Sequence, residues 1–289
     1  MCAARVHRKE VNVPQTVEPT DKQLTANGLT FHYVDWGTAG RPPMLLLHGF
    51  NQTAHTWDEF CPRVCQDYHV RAFDQRGHGD TQWAPDKDYS RDAMVRDIAA
   101  MVRELVLPPF VLIGMSMGGA NAMTYAARYP TTVKALILVD VGPEVKHEGV
   151  ENIRRLVGPQ EWPSLDAAVA DVQRFNPRRS LDNIRQRLSH SMRQLPSGAW
   201  TWKVDEVFRN PNRPRQRDTE GLWEAVRRLQ CPTLLINGAE SDILAPDAAQ
   251  RMIAAIPHGQ LATVAGAGHS IMGDNPEGFY QAVKTFLDG

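Results

Sequence analysis

Phe110-Val111-Leu112-Ile113-Gly114-Met115-Ser116-Met117-Gly118-Gly119-Ala120 begins as an unbroken apolar run and ends in residues that open a helix. The run Phe110 to Ile113 reads as a strand covered on both faces, and Ala120 to Arg128 reads as a helix. A strand that turns into a helix within so few residues forces its central residue into a strained backbone conformation. Glycines at 114 and 118 then relieve crowding, because a Cβ there would meet neighbouring backbone. The gain is an exposed Ser116 Oγ at a helix N-terminus, which makes Ser116 the candidate nucleophile. Gly119 extends the small-residue tract and lets the helix approach the strand closely.

Working outward, apolar runs recur at Met44 to Leu47, Val70 to Phe73, Ala135 to Val139, Thr233 to Ile236 and Leu261 to Val264. Helical patterns lie at Arg91 to Leu105, Ala120 to Arg128, Ala248 to Ile256 and Pro276 to Leu287, the last with proline at its first position. Strands alternating with helices predict an α/β fold with a mostly parallel central sheet flanked by helices. Before them, Leu24 to Trp36 reads as a hairpin turning at Asn27-Gly28, which gives the sheet an antiparallel edge.

From Gly142 to about Leu229 the strand rhythm stops. The chain there is rich in Arg, Trp and short helical patterns, far longer than an ordinary connection. The expectation is one domain, with residues 1–142 and 230–289 as its core and residues 143–229 inserted as a mainly helical cap. Trp162, Phe175, Trp200, Trp202, Phe208 and Trp223 either line a pocket under that cap or bind it to the core. Arg209, Arg213, Arg215 and Arg217 cluster around Pro211 and Pro214, and the acidic residues flanking them blunt any long-range field.

A serine hydroxyl is a weak nucleophile until a base accepts its proton, and that base is in turn oriented by a carboxylate. His269 lies in the glycine-rich turn after the last strand and is the candidate base. Asp242, in the loop after Thr233 to Ile236, is the candidate acid. Glu240 in the same loop and Asp140 at the end of Ala135 to Val139 compete for that role.

The order Ser116, Asp242, His269, the strand-turn-helix around Ser116 and the strand rhythm together resemble the α/β-hydrolase superfamily from about Leu24 to Leu287, the variable cap excepted. Two further stretches agree: His48-Gly49-Phe50 resembles its oxyanion loop, and Asp74-Gln75-Arg76-Gly77-His78-Gly79-Asp80-Thr81 resembles its D-x-R-G-x-G-x-S stretch, with Thr81 in place of serine. The resemblance implies that the backbone N–H groups of Phe50 and Met117 bind the oxyanion. One departure stands out: the commonest family spacing would put the acid at Ser241, one residue before Asp242.

The chemistry implied is hydrolysis of an ester, thioester, lactone or amide through an acyl-enzyme, carboxylic esters and lactones first, with no metal or organic cofactor required. Carbon–carbon bond hydrolases of ring-cleavage products and cofactor-free haloperoxidases share the same motifs. A ligand-binding receptor on this fold is the alternative of another class. Aspartate at position 116 would have indicated an epoxide hydrolase or dehalogenase.

The composition fits an ordinary globular enzyme of 289 residues, 42% hydrophobic and 22% charged. A net charge of −1 supplies no field for a phosphate backbone, so nucleic acid is not an expected partner. No apolar run reaches the roughly 18 residues of a spanning helix, and Arg5, His7, Arg8 and Lys9 are followed by no apolar core of a secretory signal. Cys2, Cys61, Cys65 and Cys231 show no disulfide framework, which predicts reduced thiols and a cytoplasmic setting. Cys61 and Cys65 stand one helical turn apart, as packing residues do.

Overall fold

The computed structural model of the chain describes residues 17–157, 160–210 and 218–289, apart from the side chains of Leu156 and Phe175. Cys2, Arg213, Arg215 and Arg217, with Pro211 and Pro214, lie outside the described residues. So do Arg5, His7, Arg8 and Lys9.

The chain opens with β1 (Thr20–Ala26) and β2 (Leu29–Trp36), paired antiparallel in full register from Thr20 with Asp35 to Ala26 with Leu29. Asn27 and Gly28 join them with φ of 47° and 76°. That left-handed pair is the backbone an Asn-Gly turn accepts most readily.

Then come β3 (Pro43–Leu47), α1 (Cys61–Val64), β4 (His69–Phe73), α2 (Arg91–Glu104), β5 (Phe110–Met115), α3 (Met117–Arg128) and β6 (Val133–Val139). After α4 to α8, described next, follow β9 (Thr233–Gly238), α9 (Pro246–Ala254), β10 (Gly259–Val264), α10 (Ile271–Asp274) and α11 (Pro276–Asp288). Eight strands form one sheet in the order β1-β2-β4-β3-β5-β6-β9-β10. The pairs β1/β2 and β2/β4 are antiparallel and the rest parallel.

The continuous apolar strands divide cleanly between the two faces of the sheet. Leu45, Leu47, Leu112, Leu136, Leu138 and Leu235 enter one buried cluster, with residues of α2, α3 and α9 and of the helix Thr219–Arg227. Their alternates Met44, Leu46, Val111, Ile113, Ile137, Val139, Leu234 and Ile236 enter the other, with Cys61, Ile271, Phe279 and Phe286. A period of two in a run with no polar member is what a sheet covered on both sides requires. Cys61, Cys65 and Cys231 are buried and unbridged.

Between β6 and β9 run α4 (His147–Val157), α5 (Leu165–Phe175), α6 (Leu181–Ser191), α7 (Glu206–Arg209) and α8 (Thr219–Arg227). This stretch also carries a short antiparallel pair, β7 (Met192–Gln194) and β8 (Trp200–Trp202), which the helical reading of the sequence did not anticipate. The tryptophans explain it. Trp200 exchanges both backbone hydrogen bonds with Trp162, while the Trp162 and Trp202 rings meet edge-on at 5.4 Å. Trp162, Trp202 and Phe208 are buried, whereas Trp223 is half-buried with Arg227 over its face. No helix among the described residues is long and apolar enough to cross a membrane.

Candidate active site

Ser116 ends β5 and caps α3 with φ 51° and ψ −114°, a conformation that costs a non-glycine residue energy. The strain is held from both sides. Ser116 N–H bonds Val139 O in β6 at 3.0 Å, and its carbonyl accepts from Ala120 N at 2.9 Å. A Cβ at Gly114 would strike the backbone of Gly118, and one at Gly118 would strike the carbonyls of Leu47 and His48. The turn therefore fits only with glycine at both places.

The loop after β3 is pinned beside it by a fully buried histidine. Gln75 N–H donates to His48 Nε2 at 3.0 Å, which leaves the proton on Nδ1, and Nδ1 donates to Gly49 O at 2.7 Å. Burial lowers the His48 pKa, in keeping with a neutral ring. Gln75 Nε2 donates to His48 O at 2.6 Å and its Oε1 accepts from Asn121 on α3 at 2.8 Å, so the loop and α3 share one polar link. Phe50 follows in this loop and borders the same space as Ser116 and Met117. The Met117 N–H is the first of α3, where no intrahelical carbonyl is available.

The stretch Asp74 to Thr81 underlies this loop. Asp74 accepts from Ala54 N at 2.7 Å and Asp80 N at 2.9 Å and meets His32 Nδ1 at 2.7 Å. Thr81 Oγ1 donates to Asp74 O at 2.7 Å. Arg76 forms a two-pronged ion pair with Asp97, at 2.5 and 2.6 Å, both residues being buried. These groups support the site's floor rather than face its cavity.

The carboxylate that meets His269 is Asp140. Its Oδ2 lies 2.7 Å from His269 Nδ1. This corrects the assignment of Asp242, whose side chain is exposed and makes no hydrogen bond or ion pair among the described residues. Glu240, the other competitor, borders the same cavity but pairs with Arg178 at 2.6 Å and not with His269. Asp140 directly follows β6 at φ 46° and is fully buried. Besides the histidine it accepts from Ser241 Oγ at 2.6 Å, Asn237 Nδ2 at 2.9 Å and Gly238 N at 3.3 Å. A buried carboxylate needs such donors to stay ionised. Ser241, at the commonest family acid position, thus donates a hydrogen bond to Asp140.

The His269 turn is bound to the loop after β9 by Ala239 N to Val264 O and Glu240 N to Ala267 O, both 2.9 Å. With the anionic Asp140 accepting from Nδ1, the His269 Nε2 carries the lone pair.

Ser116 and His269 open onto one cavity of about 540 Å³. Its far wall comes from Ile153 and Val157 of α4, Val172 of α5, Ile184, Arg187 and Leu188 of α6, and Trp202. Ser116 also borders a second cavity of about 1120 Å³, which runs past Met117, Asn121 and Phe208. Of the expected arginine cluster only Arg209 is described, and its Nη1 donates to Thr201 Oγ1 at 3.0 Å.

Two groups gather three metal-type ligand atoms within 4.8 Å: His55, Asp58 and His190, and His32, Asp74 and Asp80. Both His32 nitrogens are taken, by Asp74 and Asp21. The His55 and His190 rings stack at 3.6 Å and 22°, so their lone pairs run side by side instead of converging.

Comparison with known proteins agrees with this architecture. The model of the alpha/beta hydrolase fold family matches residues 42–276. Esterase Rv0045c of Mycobacterium tuberculosis is 30% identical over 88% of this chain and 85% of its own length. N-formylmaleamate deformylase of Pseudomonas putida is 30% identical over 92% of this chain and 95% of its own. The crystal structure of E-2-(acetamidomethylene)succinate hydrolase superposes with a TM-score of 0.84 over 94% of this chain and 100% of that one; at 24% identity this is a likeness of fold.

Proposed function

We propose that this chain, which belongs to the alpha/beta hydrolase fold family, is a serine hydrolase that cleaves a carboxylic ester or lactone through an acyl-enzyme. The observation that carries the reading is the shared cavity of Ser116, on its strained turn, and His269, whose Nδ1 is held by buried Asp140.

Ser116 Oγ attacks the substrate carbonyl carbon while His269 Nε2 takes its proton. The carbonyl oxygen becomes an oxyanion, to which the N–H groups of Phe50 and Met117 donate; one such donor is worth roughly 3 kcal/mol in the transition state. The intermediate collapses, the carbon–oxygen bond breaks, and the leaving alkoxide takes the proton from His269. Water then attacks the acyl group, His269 accepts its proton, and the acid product departs as that proton returns to Ser116. Asp140 holds the imidazole tautomer and offsets the imidazolium charge.

Residues 143–229 act as a cap over a core of residues 1–142 and 230–289. The apolar contacts of α4, α5 and α6 on the cavity suit a small to medium, partly hydrophobic substrate. The relatives are an esterase and a deformylase, both compatible with attack on an acyl carbon.

Intact-mass labelling with a fluorophosphonate, followed by p-nitrophenyl esters of increasing chain length, tests the reading. A single label in the wild type, absent in Ser116→Ala, with turnover of the esters, is expected. No label on the wild type would refute it.

A further inference from the structure

Arg187 lies at the centre of α6, on the face it shares with Ile184, Leu188 and Ser191, and all four border the cavity that holds Ser116 and His269. Spacings of three and four residues put them on one side of the helix. The other arginines of this wall are paired: Arg174 with Asp171 at 3.3 Å, Arg178 with Glu240 at 2.6 Å and Arg179 with Asp274 at 2.9 Å. Arg187 meets no carboxylate within 4.0 Å among the described residues. Its one hydrogen bond there is a long one, 3.4 Å from Nη2 to Thr56 Oγ1.

The acids whose charge reaches it, Glu59, Asp274 and Asp58, make their own contacts with other groups. Asp58 meets His55 Nδ1 at 3.0 Å, Glu59 accepts from Asn183 at 2.6 Å, and Asp274 serves Arg179 and the Gly268 N–H. Arg187 and Arg179 also converge on one spot. A Cβ added to Gly273 would strike the Arg179 guanidinium and lie 2.9 Å from Arg187 Nη1. Two guanidinium groups therefore share the bare face of Gly273, and of the two only Arg179 is ion-paired among the described residues, with Asp274. Burial first, and then the Arg179 charge, push the Arg187 pKa down to about 9 against the weaker pull of Glu59, Asp274 and Asp58, so the group is still a cation at neutral pH with no ion pair among the described residues.

We infer that Arg187, with Thr56 beside it, anchors a carboxylate of the substrate in the cavity where Ser116 attacks. The inference rests on the hydrolase reading and narrows it to acyl compounds that carry a second, anionic end. A guanidinium offers parallel N–H donors matched to a carboxylate's two oxygens, and an anion there supplies the charge the wall lacks. The apolar neighbours Ile184 and Leu188 suit the short carbon chain between the two ends.

Calorimetric titration of the Ser116→Ala protein with monomethyl glutarate and with inorganic phosphate tests the anchor without needing turnover. Monomethyl glutarate is expected to bind, at least about tenfold more weakly after Arg187→Gln and with partial recovery in Arg187→Lys, each variant first checked for an unchanged melting temperature. In the Ser116-containing enzyme, mono-p-nitrophenyl glutarate is expected to exceed p-nitrophenyl hexanoate in kcat/KM, and Arg187→Gln to lower that ratio at least about tenfold. Equal glutarate binding with Arg, Gln or Lys at 187, no glutarate binding, or binding of phosphate alone would each overturn the anchor. Turnover of the neutral ester without a carboxylate preference refutes the anchor but not the hydrolase. Glutarate binding that depends on Arg187, in a chain that neither labels nor turns over, refutes the hydrolase and leaves an anion-binding cavity.

Discussion

The Asp140 carboxylate, after β6, and the His269 imidazole, after β10, meet at 2.7 Å although β9 lies between those strands, and no other carboxylate makes a hydrogen bond or ion pair with His269 among the described residues. Asp140→Asn is therefore expected to lower kcat by about 10³ to 10⁴, because the amide favours the wrong imidazole tautomer and carries no charge. Asp242→Asn is expected to stay within a few-fold of wild type. Steady-state kinetics on one p-nitrophenyl ester distinguish them, and the reverse ranking would return the role to Asp242.

Ser241 Oγ donates to Asp140 and accepts from Ile243 N at 3.0 Å and Leu244 N at 3.1 Å. Ser241→Ala removes a donor from the acid and strands two backbone N–H groups. We expect a loss of about 2 kcal/mol in urea unfolding and a roughly tenfold lower kcat with little change in KM.

The Arg76–Asp97 pair is buried, and removing one partner leaves the other charge uncompensated. Asp97→Ala should cost about 3–5 kcal/mol by denaturant unfolding, while Arg76→Met combined with Asp97→Leu should cost clearly less. A double variant as unstable as the single one would refute that account.

His32 makes stability depend on pH. Burial opposes its charge, but the hydrogen bond and charge of Asp74, with help from Asp21, outweigh burial and lift it to about 9. A histidine raised in the folded state contributes fully below its unfolded pKa of about 6.5, and that contribution is lost as pH rises through about 9. The urea midpoint is thus expected to fall between pH 6.5 and 9, by up to roughly 3 kcal/mol in stability, and His32→Gln to flatten that slope.

What could be read from the sequence is what local chemistry dictates. The strands at Phe110, Ala135 and Thr233 are apolar on both faces, and the turn at Ser116 tolerates only glycine at 114 and 118. Asn27-Gly28 marks its hairpin for the same local reason. The acid is different: Asp140 and Asp242 both follow parallel strands, and which one meets His269 depends on how the loops at those strand ends fold over each other. The signal was nonetheless there, since serine occupies position 241 where the family more often has the acid, while Asp140 follows β6 without a spacer. The β7–β8 pair was hidden because three-residue strands carry no period. Arg187 was hidden because a charge with no ion pair among the described residues is visible only once every neighbour's partner is known.

On the proposed reading the acid is Asp140, at the end of β6, and the loop after β9 is relieved of a duty. Glu240 and Asp242 stand on the cavity wall, on a loop whose Ser241 side chain, unlike theirs, is bonded to Asp140. Those two positions are where randomisation can redraw the ligand preference of the cavity while the proton-transfer machinery stays intact. A library at 240 and 242 with Ser241 held fixed is the natural starting place for changing what this protein accepts.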